Sequence, residues 1–362
     1  MIVQLIIFVI SFLALKWYPE VGTELQRKKS RKKYITLMMV LFALQSGLRR
    51  ADVGADTGQY KNFFYEDINS NWSFIIARVN DFFVYGEGKD PFYHVLVKLF
   101  GTIFPSYQLF LIFMAALFFW ALGRFFYKYL NNNKEVLIAC ALYQTLYYSF
   151  MSITGCRQTI ATAFLLFSIP YIFEKKWIKA GIFLVLAASQ HKSALLFGGF
   201  YLLPFIKKSN WALLGGLALY PIMYTSGSAI ALYFMQDTIF EQYADFLEQY
   251  DMVGSYFFQA YILLLGLCLL WKHKQISQTQ KENYVFINAI AIAIALTPLT
   301  MIDPSNMRIV QYYSIYALIV LPMFLTSLYQ EKKVSRSIFT YVFLVFFAYT
   351  MMHKFEYHFF WQ

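Results

Sequence analysis

The chain has 362 residues, of which 59% are hydrophobic, 21% aromatic and only 14% charged, and its mean hydropathy is +0.48. That balance excludes an ordinary soluble domain and describes a chain that lives in lipid. The formal charge of +11 does not make a nucleic-acid surface, because the basic residues sit in short hinges between apolar runs, where they orient helices.

A helix needs about 20 apolar residues to cross the hydrocarbon core. The first such run, 2–18, resembles a signal h-region, but no Lys or Arg precedes it and no A-x-A site follows, so it reads as a retained span. It leads into Arg27-Lys28-Lys29-Ser30-Arg31-Lys32-Lys33, the densest basic cluster in the chain, which marks the cytoplasmic side and places the N-terminus outside. A second span at 34–48 returns outward and delivers a knot of charge, Arg49, Arg50, Asp52 and Asp56, to the external surface. Residues 61–91 read as a polar, aromatic loop. Residues 91–104 are apolar but short and read as an interfacial or re-entrant helix, so that 49–106 forms one external loop with its own helix.

Further spans are expected at 107–127, 135–151, 157–173, 177–190, 193–206 and 210–225. Segment 226–255 has no Lys or Arg, and Asp237, Glu241, Asp245, Glu248 and Asp251 recur at helical spacing beside Phe240, Tyr243, Phe246 and Leu247. It is expected to be an external acidic amphipathic segment lying along the membrane. The last spans are expected at 256–271, 283–302, 308–328 and 338–352. With this alternation the cytoplasmic hinges hold most of the 31 Lys and Arg. The expected fold is an all-α, polytopic transmembrane helical bundle of about 12 spans with short interfacial helices, a single integral membrane domain over 1–362 with both ends outside. No internal repeat stands out, which gives no support to an inverted-repeat transporter.

This alternation puts several cations outside, against the positive-inside tendency. Arg49 and Arg50 end the second span, Arg157 opens a later one after the turn at 152–156, His191 and Lys192 occupy an outer turn, and Arg308 opens a further span. Arginine presents a planar fork that binds phosphate bidentately and keeps its charge when partly buried. Several arginines converging from separate helices would suit a diphosphate at the membrane surface. Each one alone equally fits an interface-snorkelling or ion-paired residue, with Asp52 and Asp56 as partners of Arg49 and Arg50. Asp56 and His191 are the candidate proton acceptors.

Asp52 and Asp56 have no evident third ligand and enclose Gly54, which argues for a turn, so no metal site is assigned. Cys140, Cys156 and Cys268 lack C-x-x-C spacing, and neither a disulfide framework nor a zinc site is indicated. His94, His273, His353 and His358 show no ligand spacing.

These residues resemble a family of exopolysaccharide and O-antigen repeat-unit polymerases, of the EpsG and Wzy type. The resemblance is carried by Arg49 with Val53-Gly54-x-Asp56-Thr57-x-x-Tyr60 after an apolar span, and by Asp90-Pro91-Phe92-Tyr93. Arg157-Gln158-x-x-Ala161, His191-Lys192-Ser193-Ala194 and Arg308-x-x-x-Tyr312 complete it. It implies a glycosyltransferase in the bacterial cytoplasmic (inner) membrane, multi-pass, with a periplasmic or extracellular active face. Such an enzyme moves a growing glycan from polyprenyl diphosphate to the non-reducing end of a lipid-linked repeat unit, building O-antigen, capsule or exopolysaccharide. Its partners would be the polyprenyl-diphosphate-linked oligosaccharide, the lipid bilayer, a chain-length regulator and a flippase, with no cofactor and no nucleic acid.

Under this resemblance Arg49 or Arg50, Arg157, Lys192 and Arg308 would bind diphosphate, and Asp52, Thr57, Tyr60, Gln158 and Tyr312 would contact substrate. Asp56 or His191 would be the base. No pair of carboxylates presents itself as nucleophile and acid, so direct displacement with inversion is expected, with an arginine clamp in place of a metal. Two alternatives use related substrates. A lipid-linked oligosaccharide flippase should carry charge deep within its spans, whereas here it gathers at one face; an O-antigen-type ligase would take the same donor and a different acceptor.

Overall fold

The structure, a computed structural model, describes residues 2–54, 56–235, 256–302, 306–331, 335, 337–353 and 357–362. The expected acidic segment lies outside the described residues from 236 onward. Every named element is a helix, and one isolated antiparallel bridge pairs Arg49 with Phe359. The helices form two compact units, Met1–Leu195 with Val334–Gln362, and Leu196–Lys333.

The first unit contains α1 (Ile2–Trp17), α2 (Glu24–Gly47), α3 (Thr57–Asn69), α4 (Trp72–Tyr85), α5 (Pro91–Ile103), α6 (Tyr107–Tyr129), α7 (Asn133–Leu142), α8 (Cys156–Phe173), α9 (Trp177–Gln190) and the helix Ile338–Met352. The basic cluster at 27–33 is no hinge: Thr23 and Gln26 form a reciprocal capping box that starts α2 ahead of it, so the cations ride on the helix's first turns. The stretch expected as a loop at 61–91 forms α3 and α4. Thr57, Tyr60, Phe64 and Asp67 are the buried residues of α3 and recur at helical spacing, a face too short to register as a membrane run. Helix α5 has 13 residues, about 20 Å at 1.5 Å per residue, too short to span. It packs close against α3, since a Cβ on Gly101 would lie 2.1 Å from Ile68 Cγ2.

Three described helices, Tyr107–Tyr129, Cys156–Phe173 and Tyr256–Thr279, are long and apolar enough to cross a membrane, and a fourth span results if Met307–Ser314 and Ala317–Gln330, bent by 44°, count as one. Most of the remaining runs of the expected dozen are shorter or broken, while the run at 210–225 lies within one helix of 27 residues, Ser209–Met235. Five apolar helices, Ile2–Trp17 among them, have 10–17 residues, and α2 carries the basic cluster within its length. The run at 135–151 starts as α7 and then widens into π-helical turns at Tyr143–Tyr147 and Ser149–Thr154.

These wide turns shape one end of the unit. A π-helical turn displaces the regular i→i−4 ladder, and side chains from elsewhere meet carbonyls near its end. Ser46 Oγ donates to Ser152 O at 2.8 Å, Thr159 Oγ1 donates to Met151 O, and Thr57 Oγ1 and Arg49 Nη2 donate to Ile153 O at 3.2 and 3.1 Å. Because α6 runs antiparallel to α2, with Gln108 Nε2 donating to Gly47 O, the end of α2 and the starts of α6 and α8 meet here. The opposite end collects basic residues, with Arg31 donating to Asn131 O and stacking at 5.7 Å on Tyr127.

In the second unit the helix Ser209–Met235 packs tightly on Asn283–Leu296, where a Cβ on Gly216 would meet Ala291 O at 2.3 Å. Gln259 accepts from Tyr220 Oη at 2.8 Å and donates to Thr300 Oγ1 at 3.3 Å, and Lys272 pairs with Glu331.

Gly54 closes the turn between α2 and α3 with φ +112°, and a Cβ there would lie 2.6 Å from Ile153 Cγ2 and 2.7 Å from Thr57 Oγ1. Strained backbone plus overpacking should make Gly54→Ala cost about 2–4 kcal/mol. Gly58→Ala, where nothing lies within 4 Å, should be neutral. Thermal unfolding of the two variants in detergent checks this contrast.

Candidate active site

Asp90 ends the loop between α4 and α5 in a left-handed conformation, φ 49° and ψ 56°, directly before Pro91. A residue before proline is disfavoured in the right-handed helical region, and Asp tolerates positive φ better than most side chains. The carboxylate is thereby folded back under its neighbours and is 3% exposed.

Three donors from separate elements meet it. Arg157 Nη1, in the first turn of α8, donates to Oδ2 at 3.2 Å; His191 Nδ1, at the end of α9, lies 3.0 Å from the same oxygen; the Lys192 backbone N–H donates to Oδ1 at 2.8 Å. An ionised carboxylate only accepts, so His191 carries its proton on Nδ1 in this contact. Burial alone would raise the Asp90 pKa, but the hydrogen bond and charge of His191, the charge of Arg157 and the Lys192 N–H outweigh it and hold the carboxyl at about 2.

Arg157 is boxed by aromatic rings, with its guanidinium carbon 5.5, 5.6 and 5.0 Å from the centroids of Tyr60, Phe63 and Tyr93. Each such contact adds about 0.5–2 kcal/mol and, together with Asp90, fixes the plane of the fork. Arg157 Nε and His191 Nε2, with Tyr93 Oη close by, are among the buried polar atoms that have no hydrogen-bond partner among the described residues. Two such atoms on one ion-paired cluster are groups that a ligand or a water can complete. With Lys89 adjoining and Lys192 in the chain, the cluster holds more positive than negative charge, which suits an anion.

The other sequence-predicted residues lie as follows. Arg49 is 2% exposed and turns inward, donating to Ser46 O and Ile153 O, with Cys156 Sγ 3.9 Å from Nη2. It ties the end of α2 to the break before Arg157. Arg50 pairs with Asp52 at 2.7 Å on the surface, and its backbone N–H donates to His358 O. Asp56 precedes α3 without capping it through its side chain. Thr57 is buried and bonded to Val53 O and Ile153 O, and Gln158 is buried beside Arg157. Arg308 and the buried Tyr312 belong to Met307–Ser314 in the second unit. The structure therefore gathers Arg157, His191, Lys192 and Tyr60, joins Arg49 and Thr57 to their base through Ile153, and leaves Arg50 and Asp52 paired with each other.

Sequence reasoning quoted Asp90 only as part of a motif and passed over its role as the hub. The available signal was an acid placed before proline, next to Lys89 and in a motif shared with the cation-bearing ones. It also missed a second centre, in which Asp67 binds Arg78 Nη1 at 2.9 Å and His94 Nδ1 at 2.7 Å, while Glu66 binds Arg78 Nη2 at 2.5 Å. These residues lie on α3, α4 and α5, and no linear spacing announces them. Among the described residues no group of three or more His, Cys, Asp or Glu is placed to hold a metal ion.

An all-helical membrane protein with a buried carboxylate that aligns an arginine and a histidine at one end of its bundle is the class that fold and site define. More particularly, the chain belongs to the EpsG family, whose model matches residues 32–362. No curated protein and no solved structure matches it.

Because folding lowers the Asp90 pKa from 3.8 to about 2, the carboxylate adds stability above pH ~4 that is lost as pH falls from about 4 to about 2. The shift corresponds to about 2 kcal/mol. Acid unfolding in lipid nanodiscs should show this loss in the wild type, and Asp90→Asn should be less stable at neutral pH with a flatter profile over that window.

Proposed function

We propose that the chain is an outer-leaflet glycosyltransferase that polymerises polyprenyl-diphosphate-linked oligosaccharide repeat units into exopolysaccharide, capsule or O-antigen in the bacterial cytoplasmic membrane. The observation that carries this reading is the shared Asp90 carboxylate, which sets Arg157 and His191 side by side while His191 Nε2 stays buried without a partner among the described residues. Family membership fits the same role. In this reading the chain crosses the membrane about twelve times, the basic ends of the first unit face the cytoplasm, and the Asp90 end faces out.

The chemistry follows from the groups in place. The Nε edge of Arg157, aided by the charges of Lys192 and Lys89, holds the donor diphosphate and stabilises the negative charge that develops on it. The acceptor hydroxyl gives its proton to His191 Nε2 as its oxygen attacks the anomeric carbon. The bond from that carbon to the diphosphate oxygen breaks, and polyprenyl diphosphate leaves with the electron pair. Asp90 holds the imidazole in the productive tautomer and stabilises the imidazolium that forms. A single displacement of this kind inverts the anomeric centre and needs no metal. His191 is preferred to Asp56 as base because it is oriented by a buried carboxylate, while Arg49 serves as a strut beneath Arg157. Arg50, Arg308 and Tyr312 remain candidates for contact with the lipid-linked chains.

Purified protein in nanodiscs, supplied with a lipid-linked repeat unit, should yield a ladder of longer lipid-linked glycans that persists in EDTA. Arg157→Ala should abolish the ladder, and His191→Gln should slow it about 10²–10⁴-fold with the fold retained. Movement of intact substrate between leaflets without lengthening would replace the polymerase by a flippase, and undiminished turnover in His191→Gln would remove the base.

A further inference from the structure

Phe63 faces two ways. Its ring lies against Arg157 at 5.6 Å, and it also lines a cavity of about 300 Å³ whose walls include Arg78, Asp81, Glu87, Lys89 and His94. That size is at the small end of ligand pockets, enough for a single ring with its substituents. The cavity adjoins the Asp90 cluster, since Lys89 and Pro91, on either side of Asp90, both line it.

Its chemistry differs from that of its neighbour. Around Asp90 positive charge is in excess; here Asp81 and Glu87 line the cavity with Lys89, and Arg78 is already paired with Asp67 and Glu66, which removes the advantage for an anion. Carboxylates that accept and cations that donate, arrayed beside an aromatic ring, suit a neutral polyhydroxylated ligand. Hydroxyls can pair with the charged groups in charge-assisted hydrogen bonds, and the C–H face of the ring can lie on Phe63.

The walls are also ordered in advance. Asp67 and Glu66 hold Arg78, which stacks at 4.7 Å on Phe74, and Asp67 holds His94 at 2.7 Å. Positive φ at Gly86, Gly88 and Asp90 winds the short loop that carries Glu87 and Lys89. Walls fixed before binding lower the entropy cost of taking up a flexible saccharide.

We propose that this cavity is a carbohydrate subsite that holds one sugar ring of the acceptor glycan beside the Asp90 cluster. The assignment to the acceptor rests on the reading of that cluster as the site of diphosphate and base. The subsite would accordingly set which sugar is extended, and the Asp67–His94–Arg78 centre would position its walls without touching the reacting atoms.

The test separates the two sites by probe. Full-length protein in nanodiscs is titrated with the lipid-free repeat-unit saccharide, released by mild acid from the lipid-linked pool of the source cells, and followed by saturation-transfer NMR; inorganic diphosphate is titrated separately and followed by phosphorus NMR. Wild type should bind both. The double variant Asp81→Ala, Glu87→Ala should lose saccharide affinity about tenfold or more and keep diphosphate binding, while Arg157→Ala should do the reverse. Glu87→Gln, at an exposed loop position, supplies a milder variant if the double one does not fold, with a loss in the same direction. Absence of saccharide binding to wild type, or undiminished binding in a folded double variant or in Glu87→Gln, overturns the subsite. Saccharide binding that depends on Asp81 and Glu87, with no diphosphate binding to wild type, keeps the sugar site and removes the diphosphate reading instead.

Discussion

The first unit depends on one buried anion. The Asp90 carboxylate, away from water, is tenable only because a guanidinium, an imidazole and a backbone N–H meet it from three elements. Removing any one partner would leave charge uncompensated in a low-dielectric place, which is far more costly than losing an exposed ion pair. The same requirement that keeps Asp90 paired brings the start of α8 and the end of α9 to the start of α5. The groups that can do chemistry are therefore together because the fold cannot leave the carboxylate alone.

A second constraint sits directly beneath. Wide turns after α7 present carbonyls that ordinary helical geometry would have occupied, and Arg49, Ser46, Thr57 and Thr159 meet them. Gly54 allows the chain to pass close enough for Thr57 to reach Ile153. Arg49 thus does its work through the backbone. Its long side chain holds the segment from which Arg157 emerges, and the aromatic box of Tyr60, Phe63 and Tyr93 aims the guanidinium from there. The two arginines are separated in role by what each fork meets.

The helical, membrane-bound character was legible from composition, and most helix positions from apolar runs, because lipid leaves few alternatives to hydrogen-bonded helix. What misled was length: runs of suitable hydropathy at 135–151 and 283–302 break into wide turns or short pieces, a matter of backbone geometry that hydropathy does not encode. Helix α3 was hidden because its buried face pairs polar residues such as Asp67 with aromatics, and α4 because Ile75 is its one buried residue. At the site, Arg157, His191 and Lys192 were legible as basic residues gathered at the ends of apolar runs. Asp90 was not, since its weight comes from burial among three elements distant in sequence, and neither was the Asp67–Arg78–His94 centre, which exists only once α3, α4 and α5 pack.

The central claim, that Asp90 builds a site for a lipid diphosphate beside a histidine base, is tested most directly by a cryo-EM structure of the protein with a non-transferable polyprenyl diphosphate sugar bound. The account predicts diphosphate oxygens within hydrogen-bond distance of Arg157, with His191 still on Asp90 and its Nε2 turned toward the anomeric carbon's open face. Diphosphate bound away from Arg157, or His191 released from Asp90 in the complex, would contradict it.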